Sequence, residues 1–307
     1  MALRFTYADG DNVGLAVGAI VFTVLALSLG DALIKRISAE FPLWQIFVLR
    51  SALAVPVVIA VMKARHGSAP LLPANIGWTA LRSMMLTVMW IAYYAALPHV
   101  NLSAAAAVYY TLPLFITLFA ALFIGDKVGP AGWLAVAAGF SGVVLILRPQ
   151  AGDFNAYALL PLASAILYAL AMIVTRTKCR SESPLVLSLA LNLCLMFAGG
   201  VASVLLWLWG PPGAGLESHG FLRGDWISMG PRQWLAMGLL AAAAIVGSVG
   251  AAIAYQAGPS ATVSTFDFFY LAFAALWGFL FFAEVPDEIG FAGIVLIAAA
   301  GIIAVRR

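Results

Sequence analysis

The chain has 307 residues, of which 64% are hydrophobic and 9% charged, with 16 Lys plus Arg against 13 Asp plus Glu. Soluble domains carry about 45–50% apolar and about 25% charged residues, so this composition could not cover a water-soluble globule and a soluble enzyme is excluded. The net charge of +3 comes from scattered basic residues and leaves no nucleic-acid footprint.

Ten apolar stretches follow one another along the chain. They run over 14–34, 44–62, 76–97, 101–124, 131–147, 155–175, 185–209, 231–256, 259–282 and 288–305, each bounded by charge, Pro or Gly. A helix crossing a bilayer needs about 20 apolar residues, and each stretch approaches that length. Backbone groups in lipid must be bonded within the spanning structure, and uninterrupted apolar runs without alternation decide for helices over a barrel. The first stretch follows a single Arg4 with Asp9 and Asp11 and lacks a compact cleavage pattern, so it reads as a retained helix rather than a signal peptide.

With the N-terminus inside, the inner loops and tails hold nine Lys or Arg and the outer loops five. That bias predicts cytoplasmic termini and an integral inner-membrane protein in contact with lipid. The one long connection, 210–230, reads as an extramembrane loop too short for a domain. No Walker-type Gly-rich loop appears, so no ATP-driven step is expected within this chain. Cys179 and Cys194 form no disulfide or zinc framework, and His66, His99 and His219 are isolated. Neither an enzyme nor a metal or cofactor is therefore expected. The sequence leaves the oligomeric state open, and a monomer would suffice.

The chain matches itself at an offset of 158 residues. Phe115 falls on Phe273, Phe119 on Trp277, Phe123 on Phe281, Asp126 on Glu284, Trp133 on Phe291 and Arg148 on Arg306. This divides the chain into repeats 1–150 and 151–307. Five helices per half is an odd number, so the halves must be inverted, an arrangement that binds substrate near the midplane between them.

Several motifs then carry a resemblance. Pro42-x-Trp44 precedes Arg50, Tyr109-Tyr110-Thr111-Leu112-Pro113 lies in the fourth stretch, and Asp126 and Glu284 are matched acidic exits. With these the chain resembles a ten-helix, EamA-type member of the drug/metabolite transporter superfamily, closest in aromatic content to aromatic amino acid exporters of the YddG type. The resemblance implies an all-α membrane protein, two inverted five-helix repeats around a central cavity, and secondary transport by alternating access. Asp126 stands where that family usually has Glu, and Leu271 matches Pro113 in the second half.

Ionisable groups inside a span are costly and are functional candidates. Asp31, Arg50 and Arg82 read as structural or gating residues: Asp31 and Arg50 as a structural clasp, and Arg82 as a group near the inner end able to snorkel. Pro113 joins them as a bend. Asp267 lies eight residues into its stretch, roughly 12 Å deep, where a carboxylate must be paired, hydrated or protonated. It is the first choice for a substrate amine or a proton, with Ser264 on its stripe and Phe268 beside it. Trp90, Tyr94, Tyr109, Tyr110 and Tyr168 are the mid-span aromatics whose polar tips need partners, with Ser164 on the Tyr168 stripe. A pocket of this kind suits a small-molecule substrate: an aromatic or other bulky neutral amino acid, exported, or alternatively a small organic cation, drug or amphipathic metabolite. A cluster of Arg or Lys for a strongly anionic solute is not evident from the sequence.

Overall fold

The computed structural model describes residues 12–66, 72–119, 122–123, 130–147, 155–209, 220–258, 263, 266–267, 269–285 and 287–305. These residues are predominantly helical, with short turns and extended links between helices and no strand among them. The helices are α1 (Val13–Ile37), α2 (Leu43–His66), α3 (Ile76–Ala96), α4 (Leu102–Tyr109), α5 (Leu112–Phe119) and α6 (Pro130–Leu147). They continue as α7 (Leu159–Lys178), α8 (Pro184–Trp209), a single turn α9 (Gly220–Arg223), α10 (Pro231–Ala257), α11 (Phe269–Phe282) and α12 (Glu288–Val305).

Among the described residues, five helical spans are long and apolar enough to cross a membrane: Val13–Ile37, Leu43–Ala64, Ala156–Lys178, Pro184–Trp209 and Pro231–Ala257. Helix α3 has 21 residues but carries Arg82, Trp90, Tyr93 and Tyr94, which lower its apolar content. The fourth stretch is not one helix. It breaks at Tyr110-Thr111 into α4 and α5, just ahead of Pro113, which has no N–H to continue the ladder.

Helix α1 packs on α10 and α11, α2 on α8 and α10, α3 on α7 and α8, α4 and α5 on α7, α4 on α11, and α6 on α12. Small residues allow these approaches, as is usual in lipid, where apolar side chains gain little by leaving the bilayer. A Cβ on Gly250 would collide with the Thr23 hydroxyl, and one on Gly199 would stand 2.8 Å from the Trp44 carbonyl oxygen. The α2–α8 pair is antiparallel, because Val58 and Met62 late in α2 meet Val186 and Leu189 early in α8. Outward faces carry Phe22, Phe197, Trp207 and Leu235, all exposed to the surroundings as a lipid-facing belt requires.

Of the 210–230 loop, residues 220–230 fold back onto α2. The Trp44 Nε1–H donates to the Leu222 carbonyl (2.8 Å), and the Gln45 amide donates to the Ile227 carbonyl (2.7 Å) while accepting its N–H (2.9 Å).

Candidate functional site

Arg82, Leu86, Trp90 and Tyr94 recur every four residues along α3, so they fall on one face of that helix. The face looks onto a cavity whose wall also includes Asp31 on α1, Arg50 on α2, Tyr168 on α7, Asn192 on α8 and Ser248 on α10. The space open to water centres is about 40 Å³. One water takes roughly 10–15 Å³ by that measure, so the cavity holds a few waters and admits a larger solute only if the helices separate.

Asp31 is 1% exposed and organises one side of the cavity. The Tyr94 hydroxyl donates to its Oδ1 (3.1 Å), and the Tyr270 hydroxyl donates to its Oδ2. With that proton committed to Asp31, Tyr270 accepts from the Tyr93 hydroxyl at 3.1 Å. Arg50 reaches Asp31 only indirectly: its Nη1 lies 3.5 Å from the Tyr94 hydroxyl, and its guanidinium sits 4.8 Å from the Phe47 ring centroid. The Asp31–Arg50 clasp thus runs through Tyr94.

Aromatic rings extend from this point across the bundle. Trp90 stacks on Tyr94 (4.9 Å) and Tyr110 on Tyr270 (4.7 Å), while Tyr93 meets Tyr109 (5.1 Å), Tyr109 meets Tyr168 (5.9 Å) and Tyr168 meets Tyr255 (6.3 Å). The row ends where the Tyr255 hydroxyl donates to the Asp267 Oδ2 at 2.5 Å. Asp267 is buried but is not among the residues that line the cavity.

Arg82 does not snorkel. It is 1% exposed, and its Nε donates to the Thr175 hydroxyl on antiparallel α7 (2.7 Å). Its Nη1 has no partner, and no carboxylate pairs with it among the described residues. Two guanidinium groups therefore line the cavity, Arg50 from α2 and Arg82 from α3, where the sequence showed no basic cluster because the azimuth of each helix is not written in its apolar pattern. Ser164 ties helices rather than facing the cavity: its hydroxyl lies within hydrogen-bonding reach of the Met89 (3.0 Å) and Leu160 (2.9 Å) carbonyls. Ser264, Phe268 and the Pro113 side chain lie outside the described residues, as do Asp126 and Arg148 of the repeat.

The two ends of the bundle are held by contacts that sequence reasoning did not assign. At one end, Lys35 pairs with Glu284 (2.7 Å) and donates to the Val100 carbonyl (2.8 Å), while Glu284 accepts the Leu102 N–H at the start of α4 (2.9 Å). A wider vestibule of about 700 Å³ opens there, lined by Lys35, Arg36, His99, Tyr157 and Arg223. At the other end, the Glu182 carboxylate accepts the Ala74 and Asn75 N–H groups ahead of α3 (3.1 and 2.7 Å), and the Gln256 amide donates to the Cys179 and Glu182 carbonyls (2.9 and 2.8 Å). The repeat offset pointed to Glu284 as a matched residue. Nothing in the sequence distinguished Glu182 or Gln256 from ordinary polar residues at span ends.

Comparison with known proteins gives a consistent result. Residues 14–148 match the model of the EamA-like transporter family. A riboflavin transporter of Rhizobium johnstonii is 32% identical over 234 residues, covering 75% of this chain and 70% of that protein. A pseudopaline exporter of Pseudomonas aeruginosa is 27% identical over 286 residues, covering 92% and 93%. A solved crystal structure shares the fold, with a TM-score of 0.64 at 18% identity and 95% coverage of both chains.

Proposed function

The chain belongs to the EamA-like transporter family, an integral membrane family of small-metabolite transporters, and from that premise we propose that it exports aromatic and other bulky neutral amino acids by alternating access. Ten spans, arranged as inverted halves 1–150 and 151–307, rock about the cavity in the cytoplasmic membrane with both termini inside. The helix partnerships support the two halves. Exchanging α1, α2, α3, α4–α5 and α6 with α7, α8, α10, α11 and α12 turns the α1–α10 pair into α7–α3, the α1–α11 pair into α7–α4 and the α2–α10 pair into α8–α3, all of which are observed.

The observation that carries the substrate reading is the cavity wall: Trp90, Tyr94 and Tyr168 offer aromatic faces beside one carboxylate, Asp31. An aromatic ring stacks on the first three, and an ammonium group is held by Asp31 and the ring faces. Tyr109 and Tyr110 back this wall, and Pro113 and the break at Tyr110-Thr111 let the fourth span bend. Behind the cavity wall, Tyr255 connects Tyr168 to Asp267, whose stretch of sequence also carries Ser264 and Phe268, the remaining residues assigned to transport. Export is the direction named for the pseudopaline relative.

Protein purified into liposomes should move radiolabelled tryptophan, phenylalanine or tyrosine without ATP. No flux above empty liposomes for any neutral amino acid would defeat the substrate reading. If Asp267 carries a proton, Asp267→Asn abolishes the pH dependence of flux, and an unaltered pH profile would remove that role.

A further inference from the structure

The cavity holds a charge that the described residues do not balance. Its wall contains two guanidinium groups and one carboxylate, and these are not placed equivalently. Arg50 has its Nε unpartnered but is one tyrosine away from the Asp31 carboxylate and lies over the Phe47 ring, so a negative group stands close to it. Arg82 is 1% exposed, and its nearest polar partner is the neutral Thr175 hydroxyl. That hydroxyl in turn donates to the Ala171 carbonyl (2.8 Å) and supplies no negative charge. Burying an ion without a counter-charge costs several kcal/mol, and an anion brought to it recovers part of that cost. A guanidinium presents a planar fork of donors that fits a carboxylate bidentately. Asn192, also on the wall, has its amide N–H committed to the Ser188 carbonyl (2.9 Å) and its Oδ1 unpartnered. It can accept a hydrogen bond from a substrate but cannot neutralise Arg82.

We propose that Arg82 is the carboxylate-binding group of the cavity, so that the transported class is carboxylate-bearing and aromatic, and bare organic cations are excluded. This rests on the reading of the cavity as the transport site. The aromatic face of α3 fixes the order of contacts, with Arg82 two helical turns from Trp90 and about 12 Å from it along the axis. The carboxylate lies toward Arg82 and the ring toward Trp90, with Tyr94 one turn further and Asp31 bonded to it. The carboxylate is the group the site requires.

The test uses three indole probes that differ only in their charged groups: tryptophan, tryptamine without the carboxylate, and indole-3-propionate without the amine. Binding is measured on the purified full chain in nanodiscs. Indole-3-propionate is expected to bind at least tenfold more tightly than tryptamine. Arg82→Gln should weaken it at least tenfold, equivalent to about 1.4 kcal/mol, and leave tryptamine unchanged. Arg82→Lys, which keeps the charge and loses the fork, should restore part of the affinity, and Arg50→Gln should leave the order of the three probes intact. Tryptamine binding as tightly as indole-3-propionate would overturn the proposal, and so would no binding by either, or an Arg82→Gln protein that folds and still prefers the acid. Carboxylate-dependent binding without tryptophan flux in liposomes would defeat the transport reading and leave the subsite standing.

Discussion

Asp31 and Asp267 look alike in isolation. Each is a single buried carboxylate in an apolar helical span, and each accepts a hydrogen bond from a tyrosine hydroxyl. Their partners separate them. Asp31 lies in the first half and accepts from Tyr270 in the second, whereas Asp267 and its partner Tyr255 both lie in the second half. Asp31 also lines the cavity, and Asp267 does not. In the proposed rocking of the halves, a bond between them breaks or re-forms, while a bond within one half travels with it. The comparison teaches that depth in the membrane identifies a costly group, and only its partners reveal whether that group sits on the moving joint.

The largest test of this contrast is Asp31→Asn. It removes the charge that receives Tyr94 and Tyr270, and the initial rate of tryptophan flux in liposomes should fall by roughly tenfold or more, the equivalent of a lost charged hydrogen bond. A rate within about twofold of the wild type, near 0.4 kcal/mol, would erase the distinction. Next comes the pair Tyr270→Phe and Tyr255→Phe. Both keep the ring and lose one hydroxyl, yet the first breaks a contact between halves and should slow flux by about three- to tenfold. The second should slow it less, and equal effects would show that crossing between halves is unimportant.

A smaller effect is expected from Glu284→Gln at the vestibule. It removes the pairing of Lys35, both side chains being near 15% exposed, and weakens the acceptor at the start of α4. A pair that still reaches solvent at the vestibule is worth about 0.2–1 kcal/mol, so a thermal-denaturation assay should show a loss of that size that shrinks in high salt. The smallest test is Ala283→Gly. Ala283 takes a φ of 53° as the chain leaves α11 and turns Glu284 toward Lys35. The left-handed conformation costs an L-residue about 1–2 kcal/mol, and the greater freedom of glycine in the unfolded chain takes back most of that gain, so glycine should raise thermal stability only slightly and leave flux unaltered.

Much of the helix order was legible because spans are set by length and hydropathy, which a single sequence records directly. The α4–α5 break was foreshadowed by Pro113, since a missing N–H is a property of one residue. Azimuth was less legible. In lipid the outward and inward faces of a helix can be equally apolar, so periodicity does not say which way Arg82 points. Its burial depends on α7 covering α3, a contact between residues 93 positions apart. Asp31 suffered the same limitation: its charged neighbour Arg50 could be guessed from depth, but the intervening Tyr94 and the Tyr270 bond could not. Glu182 capping the start of α3 depends on a fold-back that leaves no local signal.

The central claim is that solute passes through the cavity between the halves. Leu86 lines that cavity, whereas Leu280 is 56% exposed on the outer surface of α11. The most direct measurement is tryptophan counterflow in liposomes containing Leu86→Trp, with Leu280→Trp as the matched control and chromatographic behaviour confirming that both fold. Plugging the cavity should reduce counterflow by at least about tenfold, or 1.4 kcal/mol, while the control transports at the wild-type rate. Wild-type counterflow through Leu86→Trp would place the pathway elsewhere and contradict the account.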